Sequence, residues 1–385
     1  MFTKKHADQF KDKETPFYYY DIDLLNKTLA AVKKAAPSDY HIHYALKANS
    51  NVKILNLIKD AGFGADCVSG NEVKRAYECG FKPADIVFAG VGKSDAEINF
   101  ALDKDIFCFN VESKAELSVI NELAGLKKKK AKVALRINPN VDAHTHKYIT
   151  TGLEENKFGI NPYEFDDVLA LIKQLPNIEL IGLHFHIGSQ IASLTPFKNL
   201  CVRVNEINHW FIEKGYLLPN INLGGGLGIN YHQPDSEAIV DFDAFFKVFK
   251  QFLELKPTQK VHFELGRAFV GQCGSLISKV LYIKNGLSTN FAILDAGMTE
   301  LIRPALYQAY HKIENISNTS EPSIKYDVVG PICESSDCFG KAVVLPETKR
   351  GDIIAIRSAG AYGEVMASHY NLRTDPNVVY SDELK

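Results

Sequence analysis

Lys47 closes the apolar run HIHYALK. A lysine ending a buried strand carries its amine into poorly solvated surroundings. Desolvation disfavours the ammonium, lowers its pKa and frees a nucleophile able to form a Schiff base. The alternative is a lysine whose stem snorkels along the strand end. Gly224, Gly225 and Gly226 stand together in NLGGGLG. Such a run lets the backbone approach an anion and present N–H groups to it, or it is a flexible turn. Arg267, in ELGR, offers a charge-assisted contact to the same anion. Glu264 and His262 are two apart and share one strand face. If that face is interior, the carboxylate needs a partner. A protonated ring nitrogen of a cofactor would serve, and so would a neighbouring lysine or arginine.

Three His-x-His pairs, His41/His43, His144/His146 and His184/His186, have a spacing that can bind metal on a strand. No carboxylate stands near the third pair in sequence and nothing fixes a further ligand, so no metal site is expected. His186 could instead lay its flat ring on a planar cofactor. Further along, GPICESSDCF packs Cys333, Glu334 and Asp337 into a turn-rich loop, where polar residues are functional candidates. Arg303 and Tyr307 in LIRPALY, and Tyr362 in GAYG, are isolated polar groups.

The elements that must position these residues alternate. Eight short apolar runs read as strands: His41–Lys47, Gly64–Ser69, Ile86–Gly90, Ile106–Asn110, Lys132–Asn138, Leu180–Ile187, Ile221–Gly225 and His262–Gly266. Amphipathic stretches precede and separate them. In NVKILNLIKDAG, Val52, Leu55, Ile58 and Ala61 step by threes along one helix face. Eight alternations predict a closed (β/α)8 barrel over 22–267, TIM-like, with chemistry at the C-terminal strand ends and phosphate near the last two loops. A doubly wound open sheet is the second reading. After 267 the texture changes to short strands joined by Gly, Pro and Asp turns. With the aromatic run PFYYYD, they predict a mostly antiparallel β-domain built from both chain ends, 1–21 and 268–385.

The 385 residues suit a large domain plus a smaller one. Lys and Arg number 44 against 46 Asp and Glu, a balance that argues against nucleic-acid binding by phosphate neutralisation. No apolar run approaches the ~20 residues of a membrane helix, and the N-terminus lacks the apolar core of a signal peptide. Seven scattered cysteines without CxxC spacing read as reduced thiols of a cytoplasmic protein.

The set YALKAN, HFHIGSQ, GGGLG, ELGR, RPALY, GPICES and SAGAYG…MASHYN resembles the fold-type III pyridoxal-phosphate decarboxylases, and among them the diaminopimelate decarboxylases. The resemblance runs from PFYYYD to MASHYN. One departure is visible: where the family has Glu-Pro-Gly-Arg, this chain has Glu264-Leu265-Gly266-Arg267, which touches only a local turn. The resemblance implies pyridoxal 5'-phosphate on Lys47, with Glu264 against its ring nitrogen and His186 stacked on the ring. It implies Ser189, Gly224–Gly226, Gly266, Arg267 and Tyr362 around the phosphate and cofactor, and Asp66 (with Glu72) near the lysine. Arg267, Arg303, Tyr307, Glu334 and Tyr362 resemble substrate contacts. Cys333 resembles a proton donor reaching in from the partner subunit of a homodimer. The implied reaction is decarboxylation of meso-2,6-diaminopimelate to L-lysine, the last step of lysine biosynthesis.

Other readings share parts of this pattern. A decarboxylase of ornithine, arginine or carboxynorspermidine would share the barrel and Lys47 but differ in what reads the distal end of the substrate, here Arg303 and Glu334. An alanine-racemase-like enzyme resembles it in fold, but places an arginine where Glu264 stands. Non-catalytic pyridoxal-phosphate-binding proteins lack the β-domain. A sugar-phosphate barrel enzyme would carry no visible absorbance band.

Overall fold

The computed structural model describes residues 2–141, 157–318 and 322–384. Sixteen strands are described, the first being β1 (Phe17–Tyr20). Eight parallel strands then close on one another as a barrel: β2 (Tyr40–Ala45), β3 (Gly64–Cys67), β4 (Ile86–Phe88), β5 (Cys108–Val111), β6 (Ala131–Ile137), β7 (Ile178–Phe185), β8 (Asn220–Asn222) and β9 (Lys260–Leu265). Closure is made by β2 on β9, with His43 opposite Glu264. The eight runs predicted from sequence each contain one of these strands or most of it, and the open-sheet alternative falls with the closure.

Helix starts are written locally. Ser69, Ser94 and Ser113 each cap the helix after a barrel strand, and each hydroxyl accepts the N–H of a glutamate three residues on, Glu72, Glu97 and Glu116. These caps fix where β3, β4 and β5 hand over to helices. The helix Val52–Asp60 buries Ile54, Leu55 and Ile58. Val52, expected on that face, stands at the first position of the helix and is about half exposed. The helix Phe242–Phe252 lays Phe245, Phe246 and Phe249 on Phe263 of β9, with the Phe249 and Phe263 rings 4.8 Å apart. Truncating Phe249 to alanine there would cost about 3–5 kcal/mol.

The remaining strands are β10 (Gly274–Asn285), β11 (Asn290–Leu294), β12 (Ile313–Asn315), β13 (Ser323–Val329), β14 (Cys338–Pro346), β15 (Ile353–Ile356) and β16 (Asn377–Tyr380). They form a sheet ordered β12-β15-β10-β11-β13-β14, to which β1 adds through β10 and β16 through β1. Most pairings are antiparallel; β1 with β16 and β11 with β13 are parallel. The long β10 serves two neighbourhoods, its first half pairing β1 and β15 and its second half β11.

The chain divides into two compact units. One comprises Met1–Thr28, Ile229–Val240 and Arg267–Lys385, the other Leu29–Gly228 and Asp241–Gly266. The segment 229–240, inside the range read as barrel, groups with the β-rich unit for a local reason. Gln272 donates to the carbonyls of Asn230 and Glu237, and the Arg357 guanidinium grips Asp235. Among the described residues no helix is long and apolar enough to cross a membrane.

Candidate active site

In the barrel unit, β2 stops at Ala45, and Lys47 sits in the single 3-10 turn Leu46–Ala48 rather than at the end of the strand itself. Gly266, just after β9, packs closely against this turn. A Cβ on Gly266 would meet those of Ala48 and Ala45 at 3.0 and 3.2 Å. Lys47 Nζ lies 3.4 Å from Asp66 Oδ2, and the Asp66 side chain is fully buried. Asp66 Oδ1 has no hydrogen-bond partner among the described residues. Burial and then the Glu264 charge push the Asp66 carboxyl up to about 7, against the pull of Lys47. Glu72, also raised by burial, accepts the Val68 N–H at 2.7 Å.

Glu264 is buried and accepts three side-chain hydrogen bonds. Its Oε1 accepts from Asn110 Nδ2 at 2.9 Å and Asn222 Nδ2 at 2.7 Å, and its Oε2 from His184 Nε2 at 2.9 Å. Burial would raise its pKa, but His184 and the Lys47 charge outweigh that and hold the carboxyl well below the usual range. Neither lysine nor arginine supplies these donors. The partner predicted from sequence as a structural alternative is therefore replaced by two amides and an imidazole.

His186 follows β7 directly. Its Nδ1 accepts the Gly225 N–H at 3.3 Å, so a neutral ring carries its proton on Nε2. Burial, then the Lys47 charge, pushes its pKa well below the ordinary value. Ser189 lies in the turn after it, between Gly188 and Gln190, both at positive φ. The glycine run follows β8. Gly224 is at φ +66°, and a Cβ there or on Gly225 would strike the carbonyls of Phe185 and Glu264 at 2.3 and 1.9 Å. Glycine is required first by the crowding of three strand ends, before any ligand is considered. The Gly224 N–H binds Asn222 Oδ1 at 2.9 Å, so two of the three amides already meet side chains.

In the β-rich unit, Arg267 and Arg303 are both buried and converge on one oxygen. Their Nη1 atoms donate to the Tyr231 hydroxyl at 2.5 and 2.9 Å. Arg303 also donates to His311 Nε2 at 3.0 Å, while His311 Nδ1 donates to the Arg357 carbonyl at 2.8 Å. Burial and the Arg303 charge push His311 down to about 3, which keeps it a neutral acceptor. The Arg267 guanidinium lies 4.7 Å over the Tyr362 ring, and Tyr362 is held at φ +56°. Tyr307 ends the helical turn that Arg303 begins.

Cys333 is exposed. Its N–H meets Asn371 Oδ1 at 3.3 Å, and Tyr370 donates to Glu334 at 2.8 Å. Asp337, a functional candidate from sequence, serves the structure instead. Its carboxylate accepts the Ile332 and Met298 N–H groups, both at 2.7 Å, and shapes the loop. Among the described residues no His, Cys, Asp and Glu cluster could hold a metal. His41 and His43 instead stack on His262, with His43 Nε2 3.0 Å from His262 Nδ1. The pair His144/His146 lies outside the described residues.

The sequence does not single out Asn110, Asn222, Tyr231 or His311, and assigns no partner to His184. An asparagine inside an apolar strand was the available signal for the first two.

A family model for the pyridoxal-dependent decarboxylase, pyridoxal binding domain, matches residues 22–271. The chain is 58% identical over 379 residues to a diaminopimelate decarboxylase of Bacteroides thetaiotaomicron, covering 98% of each. It is 41% identical to one of Aquifex aeolicus, over 93% of this chain and 84% of that one. The crystal structure of diaminopimelate decarboxylase from Helicobacter pylori complexed with L-lysine superposes with a TM-score of 0.92 at 41% identity, over 99% of this chain and 95% of that one.

Proposed function

The chain belongs to the pyridoxal-dependent decarboxylases, and from that premise we propose that it decarboxylates meso-2,6-diaminopimelate to L-lysine and carbon dioxide, the last step of lysine biosynthesis. The observation that carries this is its near-full-length likeness to diaminopimelate decarboxylases. The residues present suit pyridoxal phosphate: a buried carboxylate held ionised by three hydrogen-bond donors, an amine in a tight turn, and a neutral imidazole, His186, beside them. Lys47 would carry the group covalently, Glu264 would face its ring nitrogen and His186 its ring. Ser189, Gly224–Gly226, Gly266, Arg267 and Tyr362 would form the phosphate and cofactor shell. When bound, the group supplies an electron-withdrawing conjugated ring that stabilises the carbanion left at Cα as CO2 departs.

The chain's own groups do the rest. Asp66, titrating near neutrality, exchanges protons at Lys47 Nζ. Arg303, with Arg267, Tyr307 and Tyr362, binds the carboxylate of the substrate's distal amino-acid centre, and Glu334 its ammonium. A site built from such charges rejects a substrate that leaves them unpaired. Cys333 delivers the proton that replaces the lost carboxylate, acting from the partner subunit of a homodimer. The seven cysteines, free as placed, support a reducing, cytoplasmic setting.

Borohydride reduction of the purified protein followed by peptide mass spectrometry tests the assignment. The cofactor should be trapped on the peptide containing Lys47, and Lys47→Ala should lose more than about a thousandfold in turnover, ~4 kcal/mol of barrier. A label on another lysine would sink it. A panel of diaminopimelate, ornithine, arginine and carboxynorspermidine separates this substrate from those of sister enzymes.

A further inference from the structure

We infer that His184, Asn110 and Asn222 are positioning residues that hold the Glu264 carboxylate with three of its lone pairs occupied, and so assign the proton shared with a bound ring nitrogen to that nitrogen. This deepens the reading proposed above and rests on it.

The three donors come from three different barrel strands, β5, β7 and β8, and meet on one side chain of β9. A carboxylate has about four lone-pair positions. Oε1 accepts two bonds and Oε2 one, so a single acceptor position on Oε2 remains for a ligand. Each of the three bonds favours the ionised form over the carboxylic acid, because an acid hydrogen would displace an acceptor already in use. A proton placed between Glu264 and a pyridine nitrogen can reside on either. With the carboxylate saturated by donors, it belongs to the nitrogen.

The two asparagines do this without adding a cation. A lysine or arginine in their place would also ionise Glu264, but its full charge would oppose the protonated ring. Asn222 links the arrangement to the glycine turn, because its Oδ1 accepts the Gly224 N–H while its Nδ2 holds Glu264. The Glu264 N–H returns to the Gly224 carbonyl at 2.8 Å. The carboxylate and the glycine run are thereby one hydrogen-bonded unit. His184 has a second signature: its Nδ1 is buried with no partner among the described residues. That ring is oriented through Nε2 alone, so the Glu264 contact decides its tautomer.

The test uses holoenzyme reconstituted with pyridoxal phosphate carrying 15N in the ring, at one near-neutral pH. The wild type should give the resonance of a protonated ring nitrogen. In His184→Leu, which removes one donor, the resonance should move toward the unprotonated position, and turnover should fall roughly tenfold or more, as expected for a lost bond to a charged group. His184→Gln, whose amide can donate in place of Nε2, should recover the protonated resonance. Asn110→Leu, close to isosteric, should shift it in the same sense as His184→Leu and guards against a folding failure at 184. A resonance unmoved in both leucine variants, with borohydride still trapping the cofactor on Lys47, overturns this inference alone. Failure to trap cofactor on Lys47 in the wild type overturns the underlying reading and this inference with it.

Discussion

In the barrel unit the Glu264 carboxylate accepts three hydrogen bonds, and Lys93 and Arg136 each meet a glutamate, the largely buried Glu116 at 2.5 Å and the buried Glu112 at 2.6 Å. In the β-rich unit Arg303 meets no carboxylate among the described residues. It shares a phenol oxygen with Arg267 and borrows a neutral imidazole. Burial, with the like charge of Arg267, lowers the Arg303 pKa. Taking a charge from water without an opposite partner is costly, so the two regions serve different ends. The barrel completes its own electrostatics and is preorganised for a cofactor. Arg303 of the β-rich unit is a cation whose counter-charge a ligand must bring, which fits a substrate carboxylate.

The sharpest way to break this contrast is to remove one cation from each region and compare thermal or denaturant stability. Lys93→Met leaves Glu116 buried without its ion-pair partner and should destabilise by about 3–5 kcal/mol. Arg303→Met removes a charge that has no opposite and keeps much of the apolar stem. Stability should hold or rise, while kcat/KM for diaminopimelate falls roughly tenfold to a hundredfold for the lost charge-assisted bond. If Arg303→Met destabilises as much as Lys93→Met, its neutral partners are a structural end in themselves and the contrast collapses.

Glu264→Gln tests the completed side. The amide keeps its place in the barrel but no longer favours a protonated ring nitrogen. Cofactor should still be trapped on Lys47 while turnover drops about a hundredfold, ~2.7 kcal/mol. Turnover within about threefold of wild type, under ~1 kcal/mol, would remove Glu264 from the electron-withdrawing role.

How much of this was legible in the sequence follows from what local pattern encodes. All eight barrel strands were placed, because a buried parallel strand between two helices writes its own apolar run. The turn at Lys47 was not, because the apolar run continues through it with no Gly or Pro to mark a break. The period-2 spacing of His184 and His186 shows a shared face but not a partner, so a metal pair was weighed where a carboxylate clamp exists. Asn110 and Asn222 lie 154 and 42 residues from Glu264, and nothing local announces such a pairing. The β-rich unit hid more, since Tyr231 and His311 owe their meaning to two arginines they reach only through the fold.

Asp66 is the barrel's exception, a buried carboxyl with one oxygen unpartnered among the described residues. Its pKa rises from 3.8 unfolded to about 7 folded, so the native state keeps a proton that the unfolded chain has released. Its contribution to stability therefore declines as pH rises from about 4 to about 7 and levels off above, by at most ~1.4 kcal/mol per pH unit. Asp66→Asn should abolish that slope in the cofactor-free protein. The difference between wild type and variant, measured by denaturation from pH 4 to 8, isolates it from other groups. Identical slopes would mean that Lys47 compensates Asp66 completely, and the barrel would then hold no exception.

Lys47 belongs to the barrel and Cys333 to the β-rich unit, and the proposed homodimer would bring the Cys333 loop of one protomer to the barrel of its partner. Two-fold contacts are isologous, so each dimer would hold two identical shared sites. Lys47→Ala and Cys333→Ala should each be inactive alone. In a mixed dimer one site carries both lesions and the other neither. With free exchange about half of all dimers are mixed and roughly a quarter of all sites are intact, from random pairing at identical interfaces. The mixture should recover about a quarter of wild-type activity. No recovery after exchange has been confirmed by mass would mean that Lys47 and Cys333 act within one chain. Sharing would then be wrong, while the trapping of the cofactor on Lys47 and the clamp on Glu264 would stand on their own tests.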